Sequence, residues 1–169
     1  GTTPLTTRPN SRKITRKWVA VMATPLTLHE EKFKQLVKRY ENLATIIPVP
    51  CPDLVEYVEK GILEGPELEG YLKDVLTPCL QEGVKAVVLG CTHFPLVKAA
   101  VGKVVGESVR IYDGGEGTAR QAKCLLAAKN LCTDQEKGHI CFESSAPEKE
   151  AYYEALYRKA AHIDSRVKL

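Results

Sequence analysis

The side chains best suited to chemistry in this 169-residue sequence stand together at Gly90-Cys91-Thr92-His93. They follow the apolar run 85–90, which is typical of a buried strand, and they precede a predicted helix. A thiol at such a junction lies near the positive end of the helix dipole, and an imidazole two residues on can take its proton. The resulting thiolate could attack a carbon atom or remove a proton from one. The alternative is a buried cysteine in a tight turn, next to a histidine that is bound by backbone groups.

Polar side chains also stand at the ends of three other predicted strands. The carboxyl ends of parallel strands share one edge of a sheet, and ligands bind at that edge. Thr92 could cap the following helix or bind a carboxylate, since both use the same donor geometry. The glycines of 114–117 lack the Lys-Ser/Thr of a phosphate-binding loop and favour a helix start instead. The polar residues that we expect at this edge are Thr24, Thr27, Cys51, Cys91, Thr92, His93 and Asp113.

Strands and helices alternate along most of the chain. Such alternation predicts an α/β fold, a three-layer α/β/α arrangement around a mainly parallel sheet with right-handed crossovers. An apolar stripe made by Phe33, Leu36, Val37 and Tyr40 supports the first helix. The predicted strands are 18–23, 44–49, 85–90, 109–113, a weak one near 139–142 and a last one near 163–168; the predicted helices are 28–40, a short one ending at Glu59, 66–82, 96–105, 118–130 and 147–161.

The composition excludes several classes of protein. Hydrophobic residues make up 44% of the chain and charged residues 27%, as in an ordinary globular protein rather than a disordered or collagen-like one. No apolar run is long enough to cross a membrane, so we expect no membrane partner. The cations of the first residues, with no acid among them, indicate a basic flexible leader over 1–17. The remainder is near neutral, which disfavours nucleic-acid binding.

The six cysteines form no Cys-x-x-Cys pair and no zinc-binding spacing. We therefore expect no metal, and reduced thiols in a cytoplasmic protein. Most of these thiols should behave as small apolar side chains, and we expect Cys91 to be the most reactive.

Four segments, in order and with the right spacing, resemble the glutamate racemases of the aspartate/glutamate racemase superfamily. Leu89-Gly-Cys-Thr-His-Phe-Pro-Leu96 is similar to their second cysteine motif, and Val19-Ala-Val-Met-Ala-Thr24-x-x-Thr27 to their strand and Thr-x-x-Thr turn. Cys51-Pro-Asp-Leu-Val-x-x-Val-Glu59 resembles their Cys-Pro-x-x-Val-x-x-x-Glu helix, and Ile111-Tyr-Asp113-Gly-Gly-Glu-Gly-Thr-Ala-Arg120 their Ile-Asp-Ser-Gly-x-x-x-Ala stretch. The resemblance covers about residues 18–130 clearly and the tail weakly.

The resemblance implies a racemase-like fold and interconversion of L- and D-glutamate with no cofactor, the D-glutamate being used for peptidoglycan synthesis. In this family two cysteines work on opposite faces of the substrate's Cα atom. The resemblance implies that Cys91 is the thiol on the L-glutamate side, that His93 is its acid/base helper, and that Glu59 is an acidic residue near the site. The substrate-binding hydroxyls that it implies are those of Thr24, Thr27 and Thr92.

The motifs of the family's first half are missing from this sequence. There is no Asp-Ser-Gly-x-Gly-Gly opening, and no Cys-Asn-Thr-Ala segment to supply the other cysteine. We therefore interpret the chain as the C-terminal portion of such an enzyme, with the missing N-terminal half as its partner. Residues 18–112 would form a racemase-like lobe, and 113–169 would return to the first lobe in a full-length racemase. Without that lobe the segment would expose apolar surface, which predicts a homo-oligomer.

Three functions stay open. The first is an isomerase fragment that is inactive alone, because the two-base reaction needs a base on each face of the carbanion. The second is a non-catalytic binding or interaction module. The third is a single-cysteine decarboxylase-like enzyme of the same superfamily, in which one thiol protonates an enolate. Glu59 and the stretch from Thr92 to Pro95 fit glutamate racemase better.

Overall fold

The computed structural model describes residues 17–133 and 139–166. Four strands alternate with helices in the described part of the chain, and two 3₁₀ turns introduce the fifth and seventh helices. The elements are β1 (Lys17–Ala23), α1 (Pro25–His29), α2 (Glu31–Tyr40), β2 (Ala44–Pro50), α3 (Leu54–Glu59), α4 (Pro66–Gln81), β3 (Ala86–Leu89), the 3₁₀ turn Phe94–Val97, α5 (Lys98–Val105), β4 (Arg110–Tyr112), α6 (Gly115–Ala128), the 3₁₀ turn Pro147–Lys149 and α7 (Glu150–Arg166).

The four strands form one parallel sheet in the order β2-β1-β3-β4. The chain leaves β1 toward β2 and then crosses back to β3 and β4. Because parallel crossovers are right-handed, α1 and α2 fall on one face of the sheet, and α3, α4 and α5 fall on the other. The predicted α/β fold with a mainly parallel sheet is confirmed.

The main hydrophobic core lies between the sheet and the layer made by α3, α4 and α5. Alternate strand residues point into it, because successive side chains of a strand face opposite sides. Ala20 and Met22 of β1 and Val87 of β3 have no exposed surface. The helices contribute a stripe of fully buried leucines in α4, at positions 68, 72 and 76.

The predicted helix over 28–40 is wrong at its start, because it is two helices. The Thr24 hydroxyl caps α1 by accepting a hydrogen bond from the Thr27 amide at 3.3 Å. Glu30 is extended, with φ −65° and ψ 143°, and begins α2. Of the predicted apolar stripe, Leu36 and Tyr40 remain 45% and 39% exposed. An early cap therefore starts a helix that the apolar periodicity does not reveal.

Two predicted strands near the C-terminus are wrong. Residues 139–142 form no strand, and Ile140 is 66% exposed, so this short apolar stretch has no sheet partner among the described residues. Residues 163–166 belong to α7. The preceding Ala160 and Ala161 are strong helix formers, so they favour continuation of the helix over the start of a strand. Residues 167 and 168 lie outside the described residues. The predicted helix over 118–130 begins three residues early, at Gly115.

Asp113, at the carboxyl end of β4, fixes the start of α6. Its Oδ1 atom accepts a hydrogen bond from the Gly115 amide at 2.8 Å, and its Oδ2 atom meets Lys98 Nζ at 3.1 Å. The Gly115 amide and then the Lys98 ammonium hold the pKa of Asp113 below its usual value. The ion pair ties the start of α6 to the start of α5.

Gly90 sits where β3 approaches β1 most closely. Its amide donates to the Met22 carbonyl at 2.8 Å, and a Cβ atom at this position would lie 2.9 Å from that same oxygen. Only a residue without a side chain fits between the strands here, immediately before Cys91.

Gly90→Ala should destabilise the fold by about 1–3 kcal/mol, because the added methyl group must push two paired strands apart. The matched control is Gly70→Ala in α4, where a Cβ atom meets nothing within 4 Å. The control should gain up to about 1 kcal/mol, since alanine is the better helix former. Urea denaturation measures both changes, and equal stability of the two variants would contradict the packing described here.

Asp113→Asn should lower the free energy of unfolding by about 1 kcal/mol at pH 7, through loss of its charged hydrogen bonds. The native state lowers the pKa of Asp113, so its contribution is complete above the unfolded value and is lost as the pH falls through the folded value. The gap to wild type should therefore close as the pH falls through the lowered pKa of Asp113 in the folded state. Urea titrations at pH 7 and at acid pH measure it, with the exposed Asp74→Asn as a control. A gap that persists in acid would contradict the assignment.

Candidate active site

The candidate site lies at the carboxyl edge of the sheet, as the parallel topology predicts. Cys91, Thr92 and His93 occupy the turn between β3 and the 3₁₀ turn. Met22 pairs with Leu89, so two residues further along Thr24 is level with Cys91. Thr24 and Cys91, which the sequence singled out, thus lie at the ends of adjacent strands.

A chain of polar contacts runs from Cys91 through His93 to Glu59. The Cys91 Sγ atom is 3.9 Å from His93 Nδ1, and His93 Nε2 is 2.8 Å from Glu59 Oε1. Glu59 is the last residue of α3, so the contact joins segments 34 residues apart. The side chains of His93 and Glu59 are 33% and 42% exposed, which leaves this pair in contact with solvent.

This arrangement can activate a thiol. A neutral imidazole that donates its Nε2 proton to a carboxylate has a free lone pair on Nδ1. That lone pair faces the sulfur of Cys91 and can accept its proton, and the Glu59 carboxylate then stabilises the imidazolium that forms. The order nucleophile, base and orienting acid follows the general logic of a catalytic triad.

Two sequence-based expectations about the turn are wrong. Thr92 does not cap the following helix, because the residue at the cap position is His93 and no side chain makes the capping bond. The segment after Cys91 begins as a 3₁₀ turn, and α5 starts only at Lys98. The N-terminus of α5 is therefore further from the sulfur of Cys91 than the motif suggested. The imidazole of His93 is the closer polar group.

The two threonines of the first turn bind each other. The Oγ1 atoms of Thr24 and Thr27 are 3.0 Å apart, and both residues are partly buried. Since Thr24 Oγ1 also accepts from the Thr27 amide, the pair is held in a fixed orientation at the sheet edge. Thr92 is exposed.

A cavity of about 580 Å³ is lined in part by Cys91. One wall is the end of β3 with its turn, and the other is the first half of α6. Thr24, Thr27, His93 and Glu59 do not line it, so the structure brings only Cys91 and Thr92 of the predicted site to its surface. Sequence reasoning missed the α6 wall, although a helix that follows a strand end is placed to form one. The lining residues are Leu89, Gly90, Cys91, Thr92, Pro95, Gly114, Gly115, Thr118, Ala119 and Ala122.

The other cysteines have different surroundings. Cys51, at the end of β2, is fully buried and donates to the Val49 carbonyl at 3.4 Å. Burial first, and then the neighbouring thiols of Cys79 and Cys91, raise the pKa of Cys51 to about 12. It therefore stays protonated at neutral pH, and its position at the sheet edge does not make it a base. Cys124, Cys132 and Cys141 are exposed.

A second, smaller cavity of about 220 Å³ lies between α3 and α4 and holds none of the predicted site residues. In the part of the chain that the structure describes, no group of three or more His, Cys, Asp or Glu side chains could hold a metal ion. No helix among those residues is long and apolar enough to cross a membrane.

Comparison with known proteins finds relatives of one family. A family model described as Asp/Glu/Hydantoin racemase matches residues 9–122. A glutamate racemase of Clostridium kluyveri is 46% identical over 119 residues, which cover 70% of this chain and 46% of that protein. One of Clostridium perfringens is 42% identical over 132 residues, which cover 78% of this chain and 51% of that protein.

The same likeness appears in three dimensions. The Escherichia coli glutamate racemase, solved in complex with L-glutamate and the activator UDP-MurNAc-ala, gives a TM-score of 0.65 at 28% identity. The match covers 84% of this chain and 55% of that one. This chain spans about half the length of the curated relatives that it matches. Since the family model covers more than half of its residues, the chain belongs to the Asp/Glu/Hydantoin racemase family.

Proposed function

We propose that this chain is the C-terminal, thiol-bearing part of a glutamate racemase, which interconverts L- and D-glutamate without a cofactor. The observation that carries the proposal is the contact chain from Cys91 through His93 to Glu59, beside a cavity at the sheet edge. The Escherichia coli relative that binds L-glutamate supports glutamate as the small-molecule substrate. By the same resemblance, the reaction is cytoplasmic and its D-glutamate serves peptidoglycan synthesis.

The proposed proton transfer uses the three side chains in sequence. The thiol proton of Cys91 moves to His93 Nδ1, and Glu59 stabilises the imidazolium through Nε2. The thiolate then takes the α-proton of L-glutamate, and the electron pair of the C–H bond passes into the carboxylate to give an enediolate-like carbanion. In the reverse direction the thiol of Cys91 returns a proton to the same face of Cα.

The threonine hydroxyls suit the polar groups of an amino acid. Thr92 lines the cavity next to the sulfur, so we assign it to the α-carboxylate of the substrate. Thr24 and Thr27 are held together at the end of the neighbouring strand. They would bind a substrate that extends from the cavity to that strand end. Hydroxyls can both donate to a carboxylate and accept from an ammonium group.

Racemisation needs a second acid on the opposite face of the carbanion. Among the cysteines that the structure describes, only Cys91 lines the cavity, and Cys51 is excluded because its side chain is fully buried. We propose that an N-terminal half, as found in the longer relatives, supplies the second thiol, and that this chain alone does not racemise glutamate. A further proposal is that 113–169 contacts that half.

The central experiment follows the α-proton of L-glutamate in D₂O by NMR, with a coupled assay for D-glutamate. The chain alone should exchange the α-proton with retention and give no D-glutamate. Cys91→Ala should lower exchange by about 10²-fold or more, because it removes the acid/base group. Cys124→Ser, which changes an exposed thiol of α6, is the matched control and should leave exchange unchanged.

Four outcomes would contradict this proposal. Accumulation of D-glutamate would show that one thiol is enough. Exchange that survives Cys91→Ala would remove the sulfur from the reaction. Release of CO₂ from an arylmalonate by the wild-type chain, without exchange of the α-proton of glutamate, would favour the single-cysteine decarboxylase instead. If neither reaction occurs, the result would favour the binding module.

We also propose that the chain self-associates through the apolar side chains of α6 and the segments after it. Helix α6 has no buried residue, and Leu125 and Leu126 are 53% and 45% exposed. Exposed apolar patches of this kind favour association. Further along the chain, Leu131 and Ile140 are 63% and 66% exposed.

Sedimentation velocity should therefore detect a dimer or a higher oligomer of the wild-type chain. Replacement of Leu125 and Leu126 by lysine should shift the chain to monomer, because it charges the proposed contact. Leu26→Lys, at a leucine of α1 that is even more exposed, should leave the oligomeric state unchanged. A wild-type chain that sediments as a clean monomer would refute the proposal.

A further inference from the structure

Glu59 occupies a helix end whose carbonyl groups need partners from elsewhere. It is the last residue of the six-residue α3, and the chain turns at Gly61, where φ is +71°. The last carbonyls of a helix have no acceptor role inside it. A short helix with such an end does not by itself hold the carboxyl group of Glu59 in one place.

Helix α7 supplies those partners from the other end of the chain. The Tyr152 hydroxyl donates to the Glu59 carbonyl, and Lys159 Nζ donates to the Gly61 carbonyl at 2.7 Å. Between them Leu156 is 9% exposed and belongs to the hydrophobic core. Positions 152, 156 and 159 share one helix face, so the contacts to the end of α3 come from a single face of α7.

The same helix also touches the other partner in the candidate site. It packs against the 3₁₀ turn Phe94–Val97, which directly follows His93. The Glu59–His93 hydrogen bond therefore lies between two segments that both rest on α7.

We propose that Tyr152, assisted by Lys159, is a positioning residue that aims the Glu59 carboxyl group at His93. The inference rests on the proposed function in taking Glu59 and His93 as partners of Cys91. The hydroxyl of Tyr152 fixes the backbone of Glu59. The Glu59 carboxylate is then held where it accepts the Nε2 proton of His93, which favours the Nε2–H tautomer. The free Nδ1 lone pair is then kept toward the sulfur.

Two readouts test this without glutamate turnover. Ring ¹⁵N NMR reports which nitrogen of His93 carries the proton. The rate of Cys91 alkylation, followed by mass spectrometry, reports how readily its thiolate forms. Both are measured in a background with serine at positions 124, 132 and 141, where the native thiols are exposed.

Tyr152→Phe should shift His93 toward the other tautomer and slow Cys91 alkylation by about two- to tenfold, the ratio expected when one hydrogen bond is lost. Tyr157→Phe, which removes a hydroxyl from an exposed ring of the same helix, is the matched control and should change neither readout. Lys159→Met should act in the same direction as Tyr152→Phe. In a Glu59→Ala background, Tyr152→Phe should have no further effect, since it acts through Glu59.

A purely structural role for α7 gives a different pattern. If Tyr152→Phe lowers the melting temperature but leaves the tautomer and the alkylation rate at wild-type values, the positioning role is refuted. A full effect of Tyr152→Phe in the Glu59→Ala background refutes it as well. Failure of the proposed function appears elsewhere, as α-proton exchange that does not depend on Cys91, and it leaves the His93 tautomer test intact.

Discussion

The hydrogen bond between His93 and Glu59 is the interaction on which the candidate site depends. It joins the end of α3 to the turn after β3, and it exists because the parallel sheet brings both segments to one edge. With both side chains partly exposed, its worth in stability is small, because water screens such pairs. Its importance is geometric, since it selects the ring nitrogen that faces the sulfur of Cys91.

The exposure of the site has a chemical cost that a second lobe would remove. Stabilisation of a carbanion depends on oriented donors in a water-excluded setting, where electrostatic interactions are strong. Here one wall of the cavity is α6, a helix with no buried residue, and Thr92 faces solvent. A lobe that packed on α6 would bury its leucines and close the cavity in a single step. Under the proposed arrangement, one contact would account for both the exposed leucines and the open cavity.

The sequence predicted the parts of this structure that depend on local pattern. Apolar runs located all four strands, and ordered motifs brought Cys91, His93 and Glu59 together. What failed depended on single side-chain contacts, such as the Thr24 cap that starts α1, or on tertiary neighbours that decide whether residues 139–142 pair with a strand. The role of α7 at the end of α3 could not be read from the sequence, because Tyr152 and Glu59 are 93 residues apart.

The cysteines at positions 51, 79 and 91 show why residue type alone does not locate a reactive thiol. Cys51 ends β2 much as Cys91 follows β3, yet the sulfur of Cys51 turns inward to the Val49 carbonyl and its pKa rises to about 12. Cys79 is buried in α4 and donates to the Leu76 carbonyl. Only Cys91 meets an imidazole and a cavity. Cys91 follows Gly90, where β3 approaches β1 closely, and its side chain stays half-buried while those of Cys51 and Cys79 are buried.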